Sequence, residues 1–299
     1  MNLDLTRIFV KVVQNGSFSK AADLLNLPKS TISKAVSRLE KESGTKLIVR
    51  TTRSLSLTAA GRVFYETSLG PIQILEDAQK SLNGGDSLLS GLVKITAPED
   101  LGTYVIAPAV AKLTQRHPRL SFELKYTNEL IDLVKDGFDI AIRIGRPNES
   151  SFKVKRAGDV ILIAVATPKY LSNKEKIRSP KDLEKHDCLS LSSQHFRKWK
   201  LTSTKGGTAH VPVNNRISSN QMSSILKMVL ADGGVALVPN YLCENDLESG
   251  KIVRVLPEWR SMGLPVSMIS PLSSSSSARL KMTMDYLLED LQSVLKSQK

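Results

Sequence analysis

Residues 17–40, SFSKAADLLNLPKSTISKAVSRLE, followed by residues 47–58, LIVRTTRSLSLT, decide how the amino-terminal part of this chain folds. Phe18, Ala21, Ala22 and Leu25 recur at the i, i+3, i+4, i+7 spacing of a helix buried along one side. The pattern breaks at Asn26, Leu27 and Pro28 and restarts with Ile32, Ala35, Val36 and Leu39 at the same spacing. Two amphipathic helices joined by so few residues make a helix-turn-helix. Upstream, Leu5, Ile8, Phe9, Val12 and Val13 form a further apolar stripe that completes a three-helix core.

The outer face of the second helix carries Ser30, Lys34, Ser37, Arg38 and Lys41, with no acid before Glu40. Such a face offers hydroxyls and cations to base edges and phosphates instead of pairing internally. Arg50, Thr51, Thr52 and Arg53 stand where a basic wing follows the helices.

The strings LDLTRIFVKVVQNGSFSKAADLLNL, TISKAVSRLEKESGTKL, RTTR and LSLTAAG, in this order and at these separations, resemble the amino-terminal domain of the LysR-type transcriptional regulators. The likeness continues, more weakly, along essentially the whole chain. Pro28 stands where that family usually has a Ser or Thr cap, Lys29 where it often has Gln, and Ile48 where Phe is usual. The resemblance implies double-stranded DNA as a partner. It nominates Ser17, Lys29, Ser30, Thr31, Ser33, Lys34 and Arg38, with Arg50, Thr51, Thr52 and Arg53 of the wing, as contacts. It also implies a homodimer or homotetramer, a small-molecule effector and RNA polymerase as partners, and no cofactor.

The chain has 299 residues, enough for two or three domains, and 41% of them are hydrophobic, enough for packed cores. It contains no run of about 18 apolar residues, and the start, MNLDLTRIF, lacks the basic-then-apolar pattern of a signal peptide. A soluble cytoplasmic protein without a membrane partner is expected. The two cysteines, Cys188 and Cys243, fit a reducing compartment; they read as inert buried thiols, the alternative being a redox switch. A net charge of +13 points to a polyanionic partner. Residues 1–62 hold 11 Lys+Arg against 4 Asp+Glu, and residues 152–216 hold 14 against 5. The second excess reads either as a solvated lysine-rich surface or as a site for an anion.

Thr58 caps a helix expected to run to about Asn83, ahead of Gly84 and Gly85. Phe64, Ser68, Pro71, Leu75, Ala78 and Leu82 are spaced along it like a coiled-coil seam, although Pro71 costs about 3 kcal/mol inside a helix or kinks it. By resemblance this is the linker helix that pairs two subunits. After GGDSLLSG, strands alternate with helices: LVKITA, LSFELKY and FDIAIRI, with helices at about 101–116 and 129–136. VILIAVA, CLSLS, the KWKLTS and AHVPV pair and GVALVP follow, with helices starting near Pro168, Pro180 and Asn220. LPVSMIS and a helix over about 277–295 close the pattern, and the SSSSS run at 273–277 reads as a solvated loop. The alternation implies open, mostly parallel sheets.

The expected fold class is therefore α+β multidomain: an N-terminal winged helix-turn-helix, a long linker helix, and a two-lobed α/β effector domain resembling a periplasmic binding protein. The domains expected are 1–58, 59–90 and 91–299, with lobe I over about 91–163 and 267–299 and lobe II over about 164–266. Ligands of such sheets bind outside the carboxyl ends of the strands, between the lobes. Thr96, Ala97, Pro98, Glu99, Asp100, Thr127 and Asn128 fall there in one lobe. Ser192, Ser193, Ser218, Ser219 and Asn220 face them from the other. Asp100 and Asn220 also read as helix N-caps. The second basic excess, the Ser/Thr/Asn groups and a helix start at Asn220 favour a small organic anion, against which Glu99 and Asp100 stand.

Catalysis finds little support. His117, His186, His195 and His210 form no i, i+4 pair and have no Cys at ligand spacing, so no metal site is expected. No nucleophile elbow or phosphate-cradling glycine loop occurs, so no catalytic residue is assigned. The expected function is a sequence-specific DNA-binding transcriptional regulator responding to a small molecule; the rival is a solute-binding protein or enzyme with an incidental helical head.

Overall fold

The computed structural model describes residues 2–50, 55–81, 89–129, 131–134, 136–145, 152–192, 198–271 and 277–296. Thr51, Thr52, Arg53, Ser193, most of the serine run and the expected end of the linker helix lie outside the described residues.

Three helices open the chain: α1 (Leu3–Gln14), α2 (Phe18–Leu25) and α3 (Lys29–Ser43). Asn2 caps α1 by accepting from Asp4 N, and Ser17 caps α2 by accepting from Lys20 N. Asn26 ends α2 in the left-handed region at φ 50°, and Gly44 ends α3 at φ 65°. Pro28 precedes α3 without a side-chain cap. Phe9, Val12, Ala21, Ile32 and Val36 are fully buried where the helices meet, as the spacing requires. The wing strands β1 (Ile48–Arg50) and β2 (Leu55–Leu57) pair antiparallel. Glu40, buried at the end of α3, accepts from Leu47 N at 2.9 Å, Ile48 N at 3.1 Å and Lys46 Nζ at 2.7 Å, tying the wing to the helices.

Thr58 accepts from Gly61 N at 2.8 Å and so starts α4 (Ala59–Ser81), which runs through Pro71. Glu76 on α4 pairs with Arg7 at 2.9 Å and Lys11 at 3.0 Å, fastening this helix along α1.

Lobe I begins with β3 (Gly91–Ala97), α5 (Glu99–Leu101), a π-turn over Gly102–Ile106, α6 (Ala107–Arg116), β4 (Leu120–Tyr126), β5 (Ile140–Ile144) and β6 (Phe152–Val160). Lobe II contains β7 (Leu162–Ala166), α7 (Pro168–Ser172), a 3₁₀ turn over Pro180–Lys185, β8 (Asp187–Leu191), β9 (Lys198–Ser203), β10 (Thr208–Pro212) and β11 (Asn214–Ser219). It continues through α8 (Met222–Leu230), β12 (Val235–Pro239), α9 (Asn240–Glu248), β13 (Val253–Arg254) and β14 (Trp259–Ser261). The return strand β15 (Leu264–Pro271) and α10 (Ala278–Lys296) complete lobe I.

The first sheet has the order β4-β3-β5-β15-β6 and the second β10-β9-β14-β7-β12-β8-β11, with β13 also on β7. Parallel pairing is confined to β4/β3/β5 and β12/β8/β11, so both sheets are mixed and not mostly parallel. The double crossing contributes, because the return strand β15 runs against β5 in lobe I and the entry strand β7 runs against β12 in lobe II. The expected strand over residues 160–166 is divided at Ile161, where the chain changes sheet, and it returns between β14 and Leu264. The lobe limits thus shift by two to three residues from those read in the sequence.

Residues 129–136 are not a helix where described. Asp136 N donates to Asp132 O at 2.9 Å and Phe138 N to Leu133 O at 2.8 Å, a tight turn. The helix expected at Asn220 starts at Met222.

Candidate DNA interface and effector crevice

On α3 the described side chains divide cleanly. Ile32, Ala35, Val36 and Leu39 are buried, while Lys29, Ser30, Thr31, Lys34, Ser37 and Arg38 are exposed and Ser33 is half-buried. Arg38 leans on Glu42 at 2.8 Å, one turn on, leaving the amino-terminal half of the helix face to Lys29, Ser30, Thr31 and Lys34. Ser17 is engaged as the cap of α2. Burial opposes the charge of Glu40, but Lys46 and the two backbone N–H groups outweigh it and hold its carboxyl below the ordinary range.

The segments that leave the carboxyl ends of β3 and β4 meet lobe II across the crevice, near the start of α8 and at α9, and the lobes touch through side chains. Glu99 accepts from Ser223 Oγ at 3.0 and 2.9 Å. Asp100 accepts from Tyr241 OH at 2.7 Å. Asn128 Nδ2 donates to Asn220 O at 2.8 Å. Neither Asp100 nor Asn220 is a helix cap: Pro98 and Gln221 hold those positions, and the two residues instead bridge the lobes. Burial and the neighbouring carboxylates push the Tyr241 phenol well above its ordinary value, so it stays protonated and donates. Ala97 and Pro98 carry the chain from β3 to this contact, and Gly102 lets the π-turn lie on Tyr126, whose ring would stand 2.4 Å from a Cβ there.

Thr127 Oγ1 accepts from Glu129 N at 3.1 Å, and Ser219 Oγ accepts from Gln221 N at 3.1 Å, so each stabilises the turn leaving its strand. Ser192 N donates to Ser219 O at 2.8 Å.

Arg143, which sequence reading left inside a strand, is the functional-looking residue it missed. Its Nη1 donates to Thr127 O at 3.1 Å, whereas its Nη2 and the hydroxyl of fully buried Thr96 have no hydrogen-bond partner among the described residues. Burial pushes the guanidinium below its ordinary value. Buried donors without partners cost about 1–3 kcal/mol each.

Half of the 14 Lys and Arg at 152–216 are paired among the described residues. Lys155, Arg156, Lys169, Lys174, Lys185, Lys205 and Arg216 all pair with carboxylates. Cys188 and Cys243 are free and buried, and burial pushes both thiols up to about 12. No group of His, Cys, Asp and Glu that could hold a metal occurs among the described residues, and none of their helices is long and apolar enough to cross a membrane.

A winged helix-turn-helix head, a long linker helix and two α/β lobes around a crevice define a ligand-responsive DNA-binding regulator. The family model described as "Bacterial regulatory helix-turn-helix protein, lysR family" matches residues 3–62, and that described as "LysR substrate binding domain" matches residues 86–292. The chain belongs to the LysR family of transcriptional regulators, and is a regulator rather than an enzyme. An uncharacterized HTH-type transcriptional regulator of Haemophilus influenzae is 31% identical over 269 residues, 90% of this chain and 93% of that protein. The HTH-type transcriptional activator AaeR of Escherichia coli is 30% identical over 259 residues, 87% of this chain and 84% of that protein. Among solved structures, the full-length virulence activator AphB of Vibrio cholerae superposes with a TM-score of 0.62 at 26% identity, over 97% of this chain and 99% of its own. LysG of Corynebacterium glutamicum, solved with a bound effector Arg, shares the fold at a TM-score of 0.67 and 18% identity, over 97% of this chain and 98% of its own.

Proposed function

We propose that the head (residues 1–58) reads DNA through Lys29, Ser30, Thr31, Ser33, Lys34 and Arg38 in the major groove. In this reading Ser17 and the Arg50, Thr51, Thr52 and Arg53 wing lie on the flanking backbone. The observation that carries this reading is the exposed, acid-free amino-terminal half of α3 above a fully packed helical core. Residues 59–90 form the pairing helix and hinge, and residues 91–299 the effector domain. Pairing through α4 is supported by an apolar groove of about 740 Å³ between α1 and α4, lined by Leu3, Leu47, Val63, Phe64, Pro71 and Ile72. Val63 and Leu75 on α4 are 65% and 49% exposed in the single chain. A second copy's α4 covers them in a homodimer, of which two make a homotetramer. Bound to DNA in the cytoplasm, the assembly acts through contact with RNA polymerase.

The effector lies in the crevice, among Ala97, Pro98, Glu99, Asp100, Thr127, Asn128, Ser193, Ser219 and Asn220. A small organic anion remains the class best supported, now by Arg143, less by the basic excess, half of which is paired, and no longer by a helix start at Asn220. Glu99 and Asp100 are occupied by donors from the opposite lobe and are held away from the ligand's charge. Thermal-shift screening of organic acids, amines and neutral compounds tests this, since a ligand at 100 times its dissociation constant adds about 2.7 kcal/mol. Acids stabilise the protein, and Arg143→Gln removes the response. Stabilisation by amines or neutral compounds alone contradicts it.

A further inference from the structure

The stretch after β4 carries a crevice contact at one end and head contacts along the rest. Asn128 bonds Asn220 O across the lobes. Asp132, four residues on, pairs with Arg62 of α4 at 3.4 Å. Leu133 is buried in a lobe I cluster with Phe138, Ala141 and Ile269, while its neighbour Val134 is buried in the cluster of the DNA-binding head with Phe9, Val13 and Tyr65. Gly137 lies so close to α1 that a Cβ there would stand 3.8 Å from Gln14 O. Phe152, at the start of β6, packs against both clusters. Asp139 closes the stretch by accepting from Lys94 N at 2.9 Å, near enough to Tyr65 of α4 to raise its phenol along with burial.

We propose that the described residues between Asn128 and Asp139, namely 128, 129, 131–134 and 136–139, act as a coupling segment, through which a change at the Asn128 end of the crevice shifts the docking of this chain's own DNA-binding head on lobe I. This rests on the crevice being the effector site. The segment is one short piece of backbone, and Leu133 and Val134, adjacent in sequence, are anchored in different cores. Displacing Asn128 therefore acts on Asp132 and Val134 without passing through either sheet. A docked and a released head are the two arrangements whose populations a ligand can bias. Ligand uptake that breaks the Asn128–Asn220 bond releases the head, changing the spacing of the two heads in a dimer.

Hydrogen–deuterium exchange on the full-length protein without ligand tests the coupling. Asn128→Ala is expected to raise exchange several-fold in peptides covering residues 132–138 and in the facing parts of α1 and α4. Asp132→Arg is expected to raise exchange in α4 around Arg62, and the swap Arg62→Asp/Asp132→Arg to restore it. Both positions of the pair are exposed, so these variants fold. If Asn128→Ala changes exchange only at residues 127–129 and 219–223, or Asp132→Arg leaves α4 unchanged, the coupling is refuted. Because no ligand is used, a failed effector screen leaves this result standing.

Discussion

Replacing Glu40 by Ala removes the acceptor that Leu47 N and Ile48 N share at 2.9 and 3.1 Å, in a place where both residues are almost fully buried. At about 1–3 kcal/mol for each buried donor left without a partner, the loss is about 2–6 kcal/mol. The ion pair with Lys46 adds little to that figure, because Lys46 is 78% exposed. Urea unfolding of the full-length protein, followed by exchange protection of α3 and the wing, measures the effect. The pH dependence supplies a second check. The carboxyl of Glu40 is held below its ordinary value, so its stabilisation is present above the unfolded pKa of about 4.3 and is lost as pH falls through the lower folded value. The Ala variant lacks that part of the acid dependence. A loss below about 0.5 kcal/mol, the size of an ordinary surface change, with an unaltered acid limb, would show that the wing is held by something else.

Lys34→Ala should weaken binding to every DNA sequence and reduce the log–log salt slope by about 0.9, whereas changes at Lys29 or Thr31 should alter sequence preference; unchanged binding in both titrations removes this face from the interface. Leu75→Arg sets a charge on the exposed face of α4 and should shift sedimentation toward the monomer, while an undisturbed oligomer places pairing elsewhere. Thiols raised to about 12 are almost wholly protonated at pH 8, so iodoacetamide should label Cys188 and Cys243 slowly in the folded protein and quickly in urea; rapid labelling of the native form contradicts their burial.

The head was legible because its signals are local. The buried positions of α1, α2 and α3 repeat every three to four residues, and Asn26, Gly44 and Thr58 sit at the breaks. Between 129 and 136 the same rule misleads. Leu133 and Val134 do not share a helix face but enter two different cores, so apolar spacing there records docking and not periodicity. Strand β6 escaped notice because its buried Ala157 and Val160 are scattered among Lys153, Lys155, Arg156 and Asp159. Strand ends pointed to the residues at which the two lobes meet, but not to the partners that span the gap. Ser223 lies 124 residues from Glu99 and Tyr241 lies 141 from Asp100, and no local pattern announces such pairs. Arg143 is hidden for another reason: inside FDIAIRI it reads, like Asp139, as an isolated polar position of a buried strand.

The central claim is that α3 reads DNA sequence. Capture of sheared genomic DNA by the purified full-length protein at physiological salt, followed by sequencing of the retained fragments, tests it most directly. The expected result is a recurring pseudo-palindromic site with half-sites about 10 base pairs apart centre to centre, or a multiple of that, retained about 10³-fold or more above bulk DNA. Retention of fragments in proportion to their length alone, with no shared site, would contradict it.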